Sequence, residues 1–144
     1  MTPMQADRAR RAPLRAVDLA AVAVGGVAGS LARYAVTLLL PHAPGTFAWS
    51  TVVENVSGSA LIGVLMALIA SRPALGKWRP LLGVGLLGGY TTFSGYTLDA
   101  HALLLAGRPG VAVLYLLLTL AGALGGVFAG WRLTQLLLER RTRP

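Results

Sequence analysis

No cysteine occurs in the 144 residues, which rules out a disulfide framework, a thiolate nucleophile and any cysteine-based metal site. Acidic residues number only five and histidines two. His42 and His101 stand alone in predicted loops without a second ligand at metal spacing, and are expected to be solvated or interfacial. No serine has a base and an acid beside it, and Asp18 and Asp99 flank predicted helices as caps, so an enzyme is not expected. Charge of either sign is scarce: 12% of residues are charged against 55% hydrophobic, with a mean hydropathy of +0.65. That excludes an ordinary soluble domain of this length. The chain reads as an integral membrane protein.

What is abundant is apolar length. Four hydrophobic segments, 19–40, 49–70, 81–98 and 111–138, each approach the roughly 20 residues needed to cross a hydrocarbon core about 30 Å thick. PHAPGTFA, SRPALGKWRP and DAHALLLAGRPG separate them, and Pro and Gly mark the breaks. These runs lack the alternation of a membrane barrel, which leaves helices as the way to satisfy backbone groups in lipid. The predicted fold is therefore an all-α membrane protein: one domain of four transmembrane helices over 19–138, flanked by basic tails at 1–18 and 139–144. The Arg-rich start is read as a retained cytoplasmic tail, because no A-x-A-like cleavage site with a polar mature region follows it. The net charge of +8 is topogenic rather than a nucleic-acid footprint, since the basic residues sit at the ends and in one connecting loop.

In the first segment, GGVAGSLARY spaces Gly25 and Gly29, and Gly26 and Ser30, four apart, which lets a second helix approach closely. Arg33 continues that face. So deep a cation costs about 2.5 to 3.5 kcal/mol on insertion scales and has two readings: an electrostatic role at a polar vestibule, which is favoured, or snorkelling to an interface. In the second segment, Thr51, Asn55 and Ser59 fall at i, i+4 and i+8 on one polar stripe, with Glu54 on an adjacent one. Asn55 serves either as interhelical glue or as a donor to a passing anion; the stacked hydroxyls favour the anion. Glu54 is protonated, paired with a cation such as Arg33, or beside a water-filled vestibule, and the sequence does not choose among these.

The third segment carries GGYTTFSGY at 88–96. Adjacent glycines followed by adjacent threonines sustain a helix poorly, so a break is expected between Gly88 and Thr92. Breaks at this depth use freed carbonyls for a cation and turn the N-terminus of the next half-helix toward an anion. Phe93 and Tyr96 are three apart on that half-helix, and ring edges carry partial positive charge, although an isolated F-x-x-Y is more often plain packing. Gly83, Gly85 and Gly88 satisfy G-x-G-x-x-G, but no strand or following acidic residue gives that pattern a dinucleotide role.

Together, GGVAGSLARY, T-x-x-x-N-x-x-G-S and GGYTTFSGY, in this order on successive helices, resemble the CrcB/Fluc family of fluoride channels over residues 20–137. The resemblance implies a four-helix subunit, broken in its third helix, that pairs antiparallel in the membrane. The dimer would hold two fluoride pores and a buried, non-transported Na⁺ on backbone carbonyls. Carried over by motif, Gly88 and Thr91 would be the Na⁺ ligands and Arg33 the vestibule cation. Asn55, Phe93 and Tyr96 would line the pore, with Tyr115 and Thr119 on the fourth helix. Thr51, Ser59, Thr92 and Ser94 complete the expected set of pore hydroxyls. The chain departs from the family pattern at Tyr96, which follows a glycine and carries a hydroxyl, at Ala123, where a hydroxyl is expected, and at Glu54, which is usually apolar. Fluoride is small, strongly hydrated and a strong hydrogen-bond acceptor, so such a line of donors suits it better than chloride.

The implied function is passive fluoride export that lowers cytoplasmic fluoride. The alternatives are a small proton-coupled multidrug exporter built on Glu54 and a non-transporting scaffold subunit. A β-branched side chain at position 88 is expected to be poorly compatible with a tight turn there. Arg8, Arg10, Arg11 and Arg15, then Arg72, Lys77 and Arg79, then Arg132, Arg140, Arg141 and Arg143 would share one side, with only Arg108 on the other. This bias puts both termini in the cytoplasm of a plasma-membrane protein, and an oppositely oriented homologous subunit is the expected partner, a homodimer the alternative.

Overall fold

The computed structural model describes residues 15–142, all helical or loop. The expected basic tail at 1–18 lies outside the described residues except for 15–18, as do the last two residues of the tail at 139–144. Helix α1 spans Ala16–Leu39 and α2 Trp49–Ser71. A 3₁₀ turn, Pro73–Trp78, leads into a π-helical stretch, Arg79–Leu87, which tightens into one α turn, α3, at Gly88–Tyr90. After two extended residues, α4 runs over Phe93–Leu105, and α5 over Pro109–Thr142. Among the described residues three helices are long and apolar enough to cross a membrane, namely α1, α2 and α5. The expected segment 81–98 is divided between the stretch ending at Tyr90 and α4.

The connections follow local chemistry. Gly45 and Gly107 take left-handed φ values of 75° and 70°, which cost glycine little, and Pro109 opens α5 where its missing N–H is harmless. Two glycine-lined seams hold the bundle. Along the first, α1 lies so close to the π-helical stretch that a Cβ on Gly25 or Gly29 would overlap the carbonyl oxygen of Leu81 or Leu86. Along the second, a Cβ on Gly63 would overlap the Val127 carbonyl of α5, and one on Gly130 the Ala60 carbonyl of α2. Without a hydrophobic force between helices in lipid, such backbone proximity supplies the dispersion contact that leucines supply in water. The large side chains point outward instead: Val24, Leu31, Leu38, Leu61, Leu117 and Leu124 are among the exposed residues.

The two ends differ. A groove lined by Asp18 of α1 and Arg79 of the π-helical stretch, and another lined by Leu68 of α2 and Arg140 of α5, place the start of α1, the 72–79 connection and the end of α5 together. At the opposite end, Arg108 donates from Nη1 to the Gly45 carbonyl at 3.2 Å. There Ala48, Val52, Ala100, Leu103, Ala112 and Tyr115 form the buried apolar cluster that ties α4 to α2 and α5.

Candidate functional site

The site begins where the helix stops. Thr91 (φ −81°, ψ 156°) and Thr92 (φ −144°, ψ 122°) are extended. The last regular bond before the break runs from the Thr91 N–H to the Leu87 carbonyl, 3.0 Å. In a continuous helix the Thr92 N–H would close on Gly88; here it donates to Asn55 Oδ1 at 2.8 Å, while Asn55 Nδ2 donates to the Thr92 carbonyl at 3.0 Å. Asn55 therefore stands in for a strand partner, satisfying both groups of the residue that helix geometry abandons. Thr92 then caps α4, its Oγ1 accepting from the Gly95 N–H at 3.0 Å, and so takes the donor that a continuous helix would give to the Thr91 carbonyl. The Gly89 carbonyl accepts from Arg33 Nε at 3.1 Å. Gly88, Tyr90 and Thr91 are then the residues whose carbonyls lose their i+4 donors across the extended pair.

Gly88 itself is helical (φ −67°, ψ −34°), and a Cβ built on it meets nothing within 4 Å. The expected tight turn at 88 is not there, because the change of direction falls at Thr91 and Thr92. It is Gly89 whose hydrogen faces α1, against the backbone of Gly26.

Beside the break lies a cavity of about 250 Å³, lined by Asn55, Ser59, Thr91, Thr92, Phe93, Tyr96 and Thr119, with Ile62, Leu120 and Ala123 on its apolar side. Most hydroxyl protons around it are already committed. Thr91 donates to Leu87 O at 2.9 Å, Thr119 to Tyr115 O at 2.8 Å, and Tyr96 to Leu116 O at 2.9 Å. The Ser59 hydroxyl has no partner among the described residues, and the second N–H of Asn55 remains to be used. The Phe93 and Tyr96 rings are 5.9 Å apart and tilted by 47°. Phe93 lines the cavity and yet is 78% exposed, so this wall has no protein behind it.

Three of the expected pore residues lie elsewhere. Thr51 stands two turns, roughly 12 Å along α2, from Ser59, and donates to Asp99 Oδ2 at 2.7 Å. Tyr115 is fully buried, donates to the same oxygen at 3.1 Å, and packs against Tyr96 with ring centroids 5.6 Å apart. Ser94 is exposed, its Oγ 3.4 Å from Thr92 Oγ1. Asp99 is no cap: it lies inside α4, where Thr51 and Tyr115 satisfy one carboxylate oxygen and His42 Nε2 approaches the other at 3.4 Å. His42 is accordingly part of a network that continues through Nδ1 to Ser50 Oγ, 3.3 Å away, rather than an isolated solvated ring. His101 is exposed but also lies within α4, not in a loop, and Asp18 sits in the first turn of α1 without capping it. Glu54 is 2% exposed and accepts from Thr37 Oγ1 at 3.1 Å. Thr37 was visible only as the residue four beyond Arg33, and nothing in the sequence paired it with Glu54.

Fold and site define a class: a multi-pass helical membrane protein with an amide-and-hydroxyl cavity at an interruption between helices. Residues 20–131 match the family model described as CrcB-like protein, Camphor Resistance (CrcB). Relatives include a protein named fluoride-specific ion channel FluC 2 from Thermobifida fusca (strain YX), 48% identical over 123 residues, 85% of this chain and 91% of that one. Another of that name, from Nocardia farcinica (strain IFM 10152), is 44% identical over 123 residues, covering 85% and 88%. The fluoride-specific ion channel FluC of Agrobacterium fabrum (strain C58 / ATCC 33970) is 41% identical over 116 residues, covering 79% and 93%. The chain belongs to the CrcB family.

Proposed function

We propose that the chain is a subunit of a fluoride-specific channel that lets fluoride leave the cell passively and performs no catalysis. The observation that carries this reading is the cavity at the Thr91–Thr92 interruption, where Asn55, Ser59 and the start of α4 present hydrogen-bond donors beside the rings of Phe93 and Tyr96. A fluoride ion arriving there exchanges water for the free Asn55 N–H, the Ser59 hydroxyl and the unpaired amides of the first turn of α4. Thr119 joins by rotating its hydroxyl away from the Tyr115 carbonyl, since a hydroxyl proton can be redirected at little cost. The aromatic edges offer weak positive potential without a fixed charge, so the ion is passed on rather than trapped. Arg33, held on Gly89, keeps a positive charge beside the interruption.

The third segment crosses the membrane as two half-helices. The exposed Phe93 wall is completed by a second subunit in antiparallel orientation, so that pore residues of one subunit face the other. Gly88 and Thr91 supply carbonyl oxygens to a structural Na⁺ at the dimer centre. The donor set fits: hard, uncharged oxygens released from helical bonding suit a monovalent cation that stays in place. Held by Gly88 and Thr91, such an ion would offset carbonyl dipoles left without helical donors and would steady the start of the half-helix at Phe93. Excess positive charge at one end of the bundle puts both termini in the cytoplasm.

The proton-coupled exporter would rest on Glu54, which lies outside the cavity lining and is engaged by Thr37; that placement favours the channel. Purified protein in liposomes read with a fluoride electrode tests the assignment. Fluoride efflux that survives Glu54→Gln is the expected result, drug-driven proton flux would establish the exporter, and silence the scaffold.

A further inference from the structure

At the basic end, between α1 and the π-helical stretch, lies a groove of about 450 Å³. Its walls are apolar, from Leu19, Val22, Pro80 and Val84, and two opposite charges, Asp18 and Arg79, also line it. Neither charge is engaged by the other or by any other hydrogen-bonding or ionic partner among the described residues. Both sit where an apolar run begins, and Trp78, 45% exposed, precedes Arg79, a placement typical of the bilayer interface.

Phospholipid headgroups are the abundant species at that depth. A groove with a cation alone would select any phosphate, whereas an unpaired carboxylate next to it repels a purely anionic headgroup such as phosphatidylglycerol. A quaternary ammonium satisfies the carboxylate by charge but has no N–H to donate. A primary ammonium beside a phosphate meets both groups with charge-assisted hydrogen bonds, while an acyl chain covers Leu19, Val22 and Val84. We infer that this groove is a binding site for an aminophospholipid with a primary ammonium, the phosphate on Arg79, the ammonium on Asp18 and one acyl chain along the apolar walls. The inference rests on the chain's lying in a membrane and not on what it conducts.

The experiment exposes the full-length protein to equimolar phosphatidylethanolamine, phosphatidylglycerol and phosphatidylcholine with identical acyl chains, and counts retained lipid by native mass spectrometry. Phosphatidylethanolamine is expected to be retained about tenfold over the other two, the scale of one good charge-assisted contact. Asp18→Asn should reduce that preference over phosphatidylglycerol to parity and Asp18→Glu should restore it, whereas Arg79→Gln should lower retention of all three. Parity in the unmodified protein, or a preference unchanged by Asp18→Asn, overturns the inference. So does displacement by soluble phosphoethanolamine at the same concentration as whole lipid, which would remove the acyl chain from the site. Should a variant lose its helical circular dichroism, the order of preference in the unmodified protein decides alone.

Discussion

The side-chain amide of Asn55 pairs with both backbone groups of Thr92, donating to its carbonyl at 3.0 Å and accepting from its N–H at 2.8 Å. An amide carries its donor and its acceptor on two adjacent atoms and so can meet both groups of one residue at once, which makes the interruption after Tyr90 depend on a residue 37 positions away. Asn55→Asp keeps the acceptor, loses the donor, and sets a carboxylate against the Thr92 carbonyl and into the anion's cavity. The expected outcome is loss of fluoride efflux from liposomes with the assembly retained on size exclusion, at a stability cost of about 1–3 kcal/mol. Undiminished flux would remove Asn55 from the conduction path.

The glycine seam makes opposite forecasts for neighbouring positions. Gly29→Ala drives a methyl group into the Leu86 carbonyl, backbone that has no side chain to rotate away. A loss of about 1–3 kcal/mol is expected, read as a lower thermal midpoint in detergent. Gly26→Ala adds a methyl where nothing lies within 4 Å, and gains up to about 1 kcal/mol of helix propensity. Equal midpoints for the two variants would mean that α1 does not pack against the π-helical stretch along this face.

How much of this was legible in the sequence depends on the distance over which each residue is satisfied. The runs that became α1, α2 and α5 announce themselves by apolar length, and Gly25 and Gly29 by spacing. GGYTT signalled an interruption, but placed it broadly: Gly88–Tyr90 stay helical because Leu87 still accepts from Thr91, and only the Asn55 pairing releases Thr92. In the sequence Asp99 reads as a polar boundary that closes the third segment at Leu98. In the structure Thr51 and Tyr115 satisfy that carboxylate, so α4 continues to Leu105. Periodicity put Thr51 on the stripe of Asn55 and Ser59 correctly, but direction along one face says nothing of which partner waits at each height.

Gly88 and Thr91 carry a prediction about Na⁺. Thr91→Ser and Thr91→Val should both keep a Na⁺-dependent dimer, because a carbonyl ligand is indifferent to the side chain. A Cβ at position 88 meets nothing within 4 Å inside the subunit, so Gly88→Val starts without a clash at that atom. The monomer should therefore fold, and any loss of dimer should come from the space beyond it, where the proposed ion and partner would lie. Replacing Na⁺ with a large organic cation should lower the dimer's thermal midpoint; an unchanged midpoint removes the ion from the assembly.

Tyr96→Phe tests whether the ring or its hydroxyl matters. The hydroxyl donates to the Leu116 carbonyl at 2.9 Å and so points away from the anion. Its removal should cost about 1 kcal/mol of stability and leave fluoride efflux within about twofold, as the ring edge is retained. Abolished efflux would assign the hydroxyl a direct part in conduction.

Orientation gives the last prediction. Inserting equally in both directions requires balanced loop charges, because an excess of Lys and Arg fixes the cytoplasmic side. Here Arg15, Arg72, Lys77, Arg79 and Arg140 belong to one end of the bundle, and Arg108 is held by Gly45 at the other. A single chain with this bias is expected to enter one way, so an antiparallel pair would need a homologous subunit of opposite bias. In such a pair the departures at Tyr96 and Ala123 occur once, and the partner contributes the remaining donors to each pore. Expressing this chain alone with a C-terminal reporter of sidedness should show a cytoplasmic C-terminus and little fluoride resistance, and adding the partner should restore resistance. Mixed orientation together with full resistance from the single chain would return the protein to a dual-topology homodimer.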